Sequence, residues 1–171
     1  RSKPSQKIDG IRVTPKEQIP YVTGALAGTV NSQICAAANR FQLKPVGLTL
    51  LDGEMTSAEP MEKVFGAVGS CKPKNPELLN VLCHSGFLPV ISSIGCSTEG
   101  ELLNINADDA AAVIAQLLGA DLILLSDVAG VLDGDRQLIS SLDAQQIEYF
   151  CQNDVIQGGM VVKVKSALET A

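Results

Sequence analysis

The residues most able to do chemistry gather in one stretch, Glu101 to Gly130, which reads ELLNINADDAAAVIAQLLGADLILLSDVAG. Asn104, Asn106, Asp108 and Asp109 crowd a turn that opens a helix. Ser126, Asp127 and Gly130 crowd a second loop, after an apolar run. In an open parallel α/β sheet, ligands bind outside the carboxyl ends of the strands, where such loops converge. Further along, Lys163 and Lys165 follow Gly158-Gly159, and Lys163 has mostly apolar neighbours. A lysine in such company needs a counter-charge or a ligand. Aimed at a transferring phosphoryl group it would stabilise the transition state, which depends mainly on placed positive charge. Asp108 could orient such a cation, or only complement the dipole of its helix, and Asp109 competes with it for either role. Arg12 could fork onto a carboxylate through two parallel hydrogen bonds, although a surface arginine is the simpler reading. If Asn106 caps the helix, Asn104 is free to reach a ligand.

The elements that must position these groups follow from local signals. Arg1–Gly10 reads as a loop or hairpin arm and Ile11–Val13 as a short extended segment. Thr14-Pro15-Lys16-Glu17 has the form of a capping box with proline at N1, opening a helix to about Phe41. Pro45–Leu51 is a continuous apolar run, hence a buried strand. Glu62–Ser70 is expected as a strand at the sheet edge. Asn75-Pro76-Glu77 caps a short helix that Gly86 stops, and Phe87–Ser93 is the next strand. Gly95–Gly100 is expected as a turn, and Leu102–Ile105 as a short strand pairing back as a hairpin. Asn106 then caps a helix over Ala107–Leu118, closed by Gly119. Leu122–Leu125 is expected as a buried strand, Asp127–Gln137 as a loop, Asp143 as the cap of a helix to about Asn153, and Met160–Ala171 as a last helix. Strands alternating with helices make the class α/β with a mainly parallel sheet.

The 171 residues suit one domain, and 46% hydrophobic with 19% charged residues can bury a core. A net charge of -6 without a basic stripe argues against nucleic acid as a partner. No apolar run is long enough for a membrane span, and the N-terminus lacks the apolar core of a signal peptide. Five cysteines, none in a C-x-x-C pair, argue for free thiols in a reducing compartment and against a zinc site. Small buried hydrophobes is the simplest reading of each. These features point to the cytoplasm. His84, the one histidine, is expected at a helix end and gives a histidine triad little support. There is neither G-x-x-x-x-G-K-[ST] nor G-x-G-x-x-G, so no P-loop or dinucleotide fold is indicated.

Six segments together resemble the amino acid kinase family: GIRVTPKEQ at 10–18, GALAGTVN at 24–31, LPVISSIG at 88–95, LLNINADDAA at 102–111, GADLILLSDVAGVLDG at 119–134 and QGGMVVKVKSAL at 157–168. Within that family they are most similar to the bacterial acetylglutamate kinases. The resemblance implies a three-layer α/β/α sandwich and ATP-dependent phosphorylation of the γ-carboxylate of N-acetyl-L-glutamate, a step of arginine biosynthesis. It implies that Arg12 binds the substrate α-carboxylate and that Asn104 contacts the same substrate. Asp108 would hold the catalytic lysines, and Lys163 would stabilise the transferring phosphoryl group. Asp127, Val128, Ala129, Gly130, Val131 and Leu132, with Val155, Ile156 and Gln157, would line the nucleotide site. Mg²⁺ would bridge the phosphates, mostly through water and phosphate oxygens. Residues 1–118 would form mostly the amino-acid-substrate and dimer part, with the helix around 14–41 as dimer contact, and 119–171 mostly the nucleotide part.

Complete members of the family also carry a strand ending in K-x-G-G and a glycine-rich H-G-G-G-type loop, and neither motif appears in this sequence. The chain therefore resembles a family member shortened at both ends, for which weak or no kinase activity is expected. Two other functions fit the same resemblance. One is a kinase for another acylated amino acid, such as an acylated aminoadipate. The other is a non-catalytic effector-binding domain of the kind found in acetylglutamate synthases.

Overall fold

A computed structural model describes residues 6–8, 11–125, 128–133, 135, 137–156 and 159–168. The first elements among the described residues are β1 (Lys7–Ile8) and β2 (Ile11–Arg12), paired antiparallel. A helical run follows: a 3-10 turn at Lys16–Gln18, α1 (Ile19–Thr23), a π-helical stretch at Gly24–Val30 and α2 (Asn31–Arg40). The widened stretch coincides with Gly24 and Gly28, whose weak α-helical preference gives it little resistance. Thr14 does not cap this run, contrary to the capping-box pattern. It is buried, its N–H donates to the Phe65 carbonyl and it forms a bridge with Gly66. Those long-range bonds take Thr14 away from the helix and leave its first turn without a side-chain cap.

Next come β3 (Pro45–Thr49), β4 (Thr56–Pro60), β5 (Val68–Pro73), α3 (Glu77–His84), β6 (Leu88–Ser92), β7 (Ile94–Cys96) and β8 (Leu102–Ile105). Strand β3 pairs in parallel with β6, and a four-stranded sheet runs β4-β5-β8-β7. In it β5·β8 is parallel, while β4·β5 and β7·β8 are antiparallel. The stretch expected as one edge strand is instead a loop, a 3-10 turn at Lys63–Phe65 and then β5, which lies inside the sheet with β4 as its edge. Part of the expected Gly95–Gly100 turn is β7, drawn into the sheet by the hairpin with β8. The domain is α/β with parallel elements, as the alternation implies, and hairpins extend it.

Helix α4 (Ala107–Leu118) closes on Gly119, which adopts φ 59°, the left-handed C-cap that glycine takes without a Cβ clash. Leu50, Ala58, Leu103, Ile105 and Ala110 form the main core between this helix and the sheet. Leu122–Leu125 is not a strand: it joins no ladder among the described residues, and Ile123 and Leu125 are 81% and 90% exposed. An apolar run becomes a strand only where a neighbour takes its hydrogen bonds. Helix α5 (Ala144–Gln152) begins at Asp143 in a reciprocal capping box with Gln146, and α6 (Gly159–Leu168) packs on it. Ile147, Ile156 and Val164 centre this second core, with Val131, Met160 and Leu168 around them.

Candidate functional site

The β8–α4 turn builds the site from local rules. Strand alternation sends Leu103 and Ile105 into the core and leaves Asn104 on the other face. Asn106 is the N-cap of α4, and its side-chain oxygen accepts from the Asp108 and Asp109 N–H groups at 2.8 and 3.2 Å. This satisfies two of the helix's open donors and fixes the backbone of both aspartates in the first turn.

Asp108 and Asp109 then divide between two partners on α6. The Lys163 ammonium donates to both Asp108 oxygens, at 2.9 and 3.0 Å, and each side chain keeps about a quarter of its surface in water. The Ser166 hydroxyl donates to Asp109 Oδ1 at 2.6 Å. The competition left open by the sequence is thereby settled in favour of Asp108 as the lysine's partner. An ammonium has three donors, so Lys163 can hold Asp108 and still present an N–H to an anionic oxygen.

On the other side of the turn lies a polar cavity of about 190 Å³. Arg12 and Asn104 both line it, together with Lys7, Ile11, Val68, Ile105 and Asn106. It falls below the roughly 300–1,000 Å³ usual for drug-sized ligands and suits a small polar molecule. Two cations and two side-chain amides recognise carboxylates and amide groups. Asn104 is not wholly free, as the sequence suggested: its Nδ2 donates to the buried Thr14 Oγ1 at 3.0 Å. A primary amide has a second N–H and an oxygen, so this bond orients Asn104 and leaves it one donor and its acceptor oxygen for a ligand. Thr14 itself is held by Gly66, at φ 73°, where an added Cβ would strike the Thr14 carbonyl.

The expected nucleotide segment is partly described. Val128, Ala129 and Leu132 are exposed, and Gly130 and Val131 half-buried. The segment folds back on itself, with the Ile139 N–H donating to the Val131 carbonyl and Asp133 Oδ1 accepting from the Asp135 and Gln137 N–H groups. Val155 is half-buried, and Ile156 is buried in the second core beside Val164. That core gathers the 128–132 segment, the 155–156 turn and the helix carrying Lys163 in one region. Asp127 and Gln157 lie outside the described residues, as does Ser126. Among the described residues, no three His, Cys, Asp or Glu side chains form a group that could hold a metal ion. Sequence reasoning passed over Thr14 as a site residue, because it looked like a helix cap. Ser166 has no local signal at all; only the packing of α6 on α4 shows its role.

The five cysteines are free thiols, but they are not the fully buried residues expected: Cys83 is exposed and the others are half-buried. Burial, and then the Asp109 charge, push the Cys71 thiol up to about 11 from an ordinary 9.0. Cys71 should therefore stay protonated and resist iodoacetamide at pH 8 while Cys83 alkylates, which mass spectrometry of timed samples will check. The sign of the linkage follows: protonated Cys71 supports the fold below about pH 9, and that support is lost as pH rises towards 11. His84 sits at the end of α3, with Nδ1 hydrogen-bonded to the Asn80 carbonyl, away from the turn.

The model of the amino acid kinase family matches residues 2–171. The chain is 50% identical over 170 residues to the acetylglutamate kinase of Serratia proteamaculans (strain 568), covering 99% of this chain and 66% of that protein. It is 49% identical over 168 residues to the acetylglutamate kinase of Proteus mirabilis (strain HI4320), covering 98% of this chain and 65% of that protein. The chain thus spans just under two thirds of the length of these curated relatives. Among solved structures, the smu.665 protein of Streptococcus mutans UA159 superposes with a TM-score of 0.89 at 30% identity, over 98% of this chain and 69% of that one. N-acetylglutamate synthase of Neisseria gonorrhoeae, complexed with coenzyme A and N-acetyl-glutamate, superposes at 0.84 with 22% identity, over 98% of this chain and 39% of that one. At that identity the last likeness is one of fold.

Proposed function

Because the chain belongs to the amino acid kinase family, we propose that it carries the acceptor pocket and phosphoryl-stabilising lysine of an acetylglutamate kinase. In the proposed reaction a γ-carboxylate oxygen of N-acetyl-L-glutamate attacks the γ-phosphorus of ATP. The bond from that phosphorus to the ADP oxygen breaks, giving ADP and N-acetyl-L-glutamyl 5-phosphate for arginine biosynthesis. The observation that carries this reading is the Lys163–Asp108 pair, held by the same β8–α4 turn that lines the Arg12–Asn104 cavity. Half-identity to two acetylglutamate kinases across nearly the whole chain supports it.

In this reading Arg12 receives the α-carboxylate, Asn104 contacts the bound amino acid, and Lys163 faces the phosphoryl oxygens. Asp108 keeps the lysine extended and in register. Val128–Leu132 and Val155–Ile156, with Asp127 and Gln157, take the nucleotide, so residues 119–171 serve mostly ATP and 1–118 mostly the acceptor. Mg²⁺ fits as a companion of the nucleotide, held by phosphate and water oxygens, because the nearby Asp108 and Asp109 carboxylates are occupied by Lys163 and Ser166. A homodimer through the helical run is supported by its exposed Tyr21, Val30, Ile34 and Phe41. Five free thiols support a reducing cytoplasm, and no helix among the described residues is long and apolar enough to cross a membrane.

The test is isothermal titration of the chain with N-acetyl-L-glutamate, repeated with Arg12→Ala. Hydrogen bonds to charged groups are worth about 1.5–3 kcal/mol, so the variant should bind roughly 10- to 150-fold more weakly. Equal binding by both chains would remove Arg12 from the pocket. No binding by a folded wild-type chain, with binding by one extended to the full length of its relatives, would mean the cavity is incomplete in these residues.

A further inference from the structure

We propose that Asp109 and Ser166 are a positioning pair: a second tie between α4 and α6 that fixes the rotation of α6 and so seats the Lys163 ammonium on both oxygens of Asp108. The proposal rests on Lys163 being the phosphoryl-facing lysine. It goes beyond that role by naming what aims it.

The geometry is that of a two-point clamp. Asp108 and Asp109 are adjacent in the first turn of α4, with their backbone N–H groups both held by Asn106. Lys163 and Ser166 are three apart on α6, hence neighbours on one helix face, separated by about 4.5 Å along the axis. The first carboxylate takes the ammonium and the second takes the hydroxyl at 2.6 Å. One tie alone acts as a pivot, about which α6 can roll and swing a long lysine side chain off its partner. Two ties a turn apart remove the roll.

The character of the second tie suits this task. Ser166 is only 2% exposed, so its hydroxyl has little water to fall back on and must keep a protein acceptor. A hydroxyl-to-carboxylate bond is charge-assisted and short, and stronger than a neutral one. Asp109 stands at the helix position from which a capping-box carboxylate would turn back to the N-cap amide. Its Oδ1 instead accepts from a residue 57 positions on. Behind it lies Cys71 of β5, whose thiol feels the Asp109 charge. The carboxylate is thus set where β5, α4 and α6 meet. On its other side α6 offers Val164 and Met160 to the second core, an apolar contact that tolerates sliding in a way a hydrogen bond does not.

The experiment is trace acetylation of the chain with acetic anhydride, read by mass spectrometry as the ratio of Lys163 to the exposed Lys165. Ser166→Ala and Asp109→Ala should each raise that ratio roughly 10-fold or more, the scale of one lost charge-assisted hydrogen bond. Asp109→Asn, which keeps an acceptor oxygen but gives up the charge assistance, should raise the ratio clearly less than Asp109→Ala does. The Ser166→Ala/Asp109→Ala double variant should do no more than either single change, because both remove one interaction. An unchanged ratio in Ser166→Ala and Asp109→Ala would overturn the proposal, and so would a rise in Asp109→Asn as large as in Asp109→Ala. If Lys163 and Lys165 both gained reactivity equally, the pair would be shown to stabilise α6 without aiming the lysine, and the proposal would fall. The readout uses neither ATP nor acetylglutamate, so its failure is separate from failure of the kinase reading.

Discussion

Lys163→Met, introduced into a chain extended to the full length of its relatives, is expected to slow phosphoryl transfer from ATP to acetylglutamate by about 10² to 10³, the usual cost of losing one transition-state donor. The affinity for acetylglutamate should change little. The reason is the proposed division of the site: Arg12 and Asn104 line the cavity assigned to the acceptor in that proposal, whereas Lys163 is on α6 and meets the turn through Asp108. Loss of a donor that acts only on developing charge lowers kcat and kcat/KM together. Asp108→Asn should lower the rate as well, because an amide neither matches the ammonium's charge nor offers it two acceptor oxygens. Steady-state kinetics on purified variants checks both. Unchanged kcat in Lys163→Met would remove the lysine from the chemistry, and a large rise in KM alone would assign it to substrate binding instead.

Leu103→Ala should destabilise the chain by about 2–5 kcal/mol, the range for a large-to-small change in a closed core. Leu103 is 2% exposed and lies on β8, with β5 on one side and β7 on the other. It packs with Leu50, Ala58, Ile105 and Ala110. A Cβ added at Gly69 would come within 2.7 Å of its Cδ1, so the surroundings already press on the side chain. A loss of this size is a large part of the roughly 5–15 kcal/mol available to a domain. It should also weaken acetylglutamate binding, since the next residue is Asn104. Urea unfolding at constant m-value measures the loss, with Leu132→Ala, in a more exposed position, as a control expected to cost far less. A Leu103→Ala loss below about 1 kcal/mol would show that the cluster is not the core of the domain.

How far the site could be read in advance depends on the separation of the groups involved. Asn106 as a cap, Gly119 as a stop and Asp143 as a cap all act within one helical turn, and each is present in the structure. That Leu102–Ile105 closes a hairpin was also readable, but its partner is β7 at Ile94–Cys96, part of which was expected as the turn, and not the Phe87–Ser93 strand. Arg12 and Asn104 were singled out by residue type, and it took the fold to bring them to one cavity. Errors fell on residues whose partners are distant. Thr14 has the type and spacing of a helix cap, yet its hydroxyl accepts from Asn104, 90 positions away. Leu122–Leu125 has the composition of a buried strand, but composition supplies no neighbour for its N–H and C=O groups.

By itself, the sequence determined the α/β class, both ends of α4, the start of α5 and the ordered motifs that mark an amino acid kinase. Local hydrogen bonds and apolar periodicity are written in adjacent residues, and so are legible there. Residue pattern alone left Asp108 and Asp109 open, although the resemblance gave the lysines to Asp108; the tertiary structure shows Asp108 taking Lys163, and it alone decided that Asp109 takes Ser166 and that Asn104 is oriented by Thr14. Each of these is a bond of 2.6–3.0 Å across 55 to 90 residues of chain. Two adjacent aspartates are chemically equivalent until the packing of α6 on α4 sets which oxygen meets the ammonium and which meets the hydroxyl.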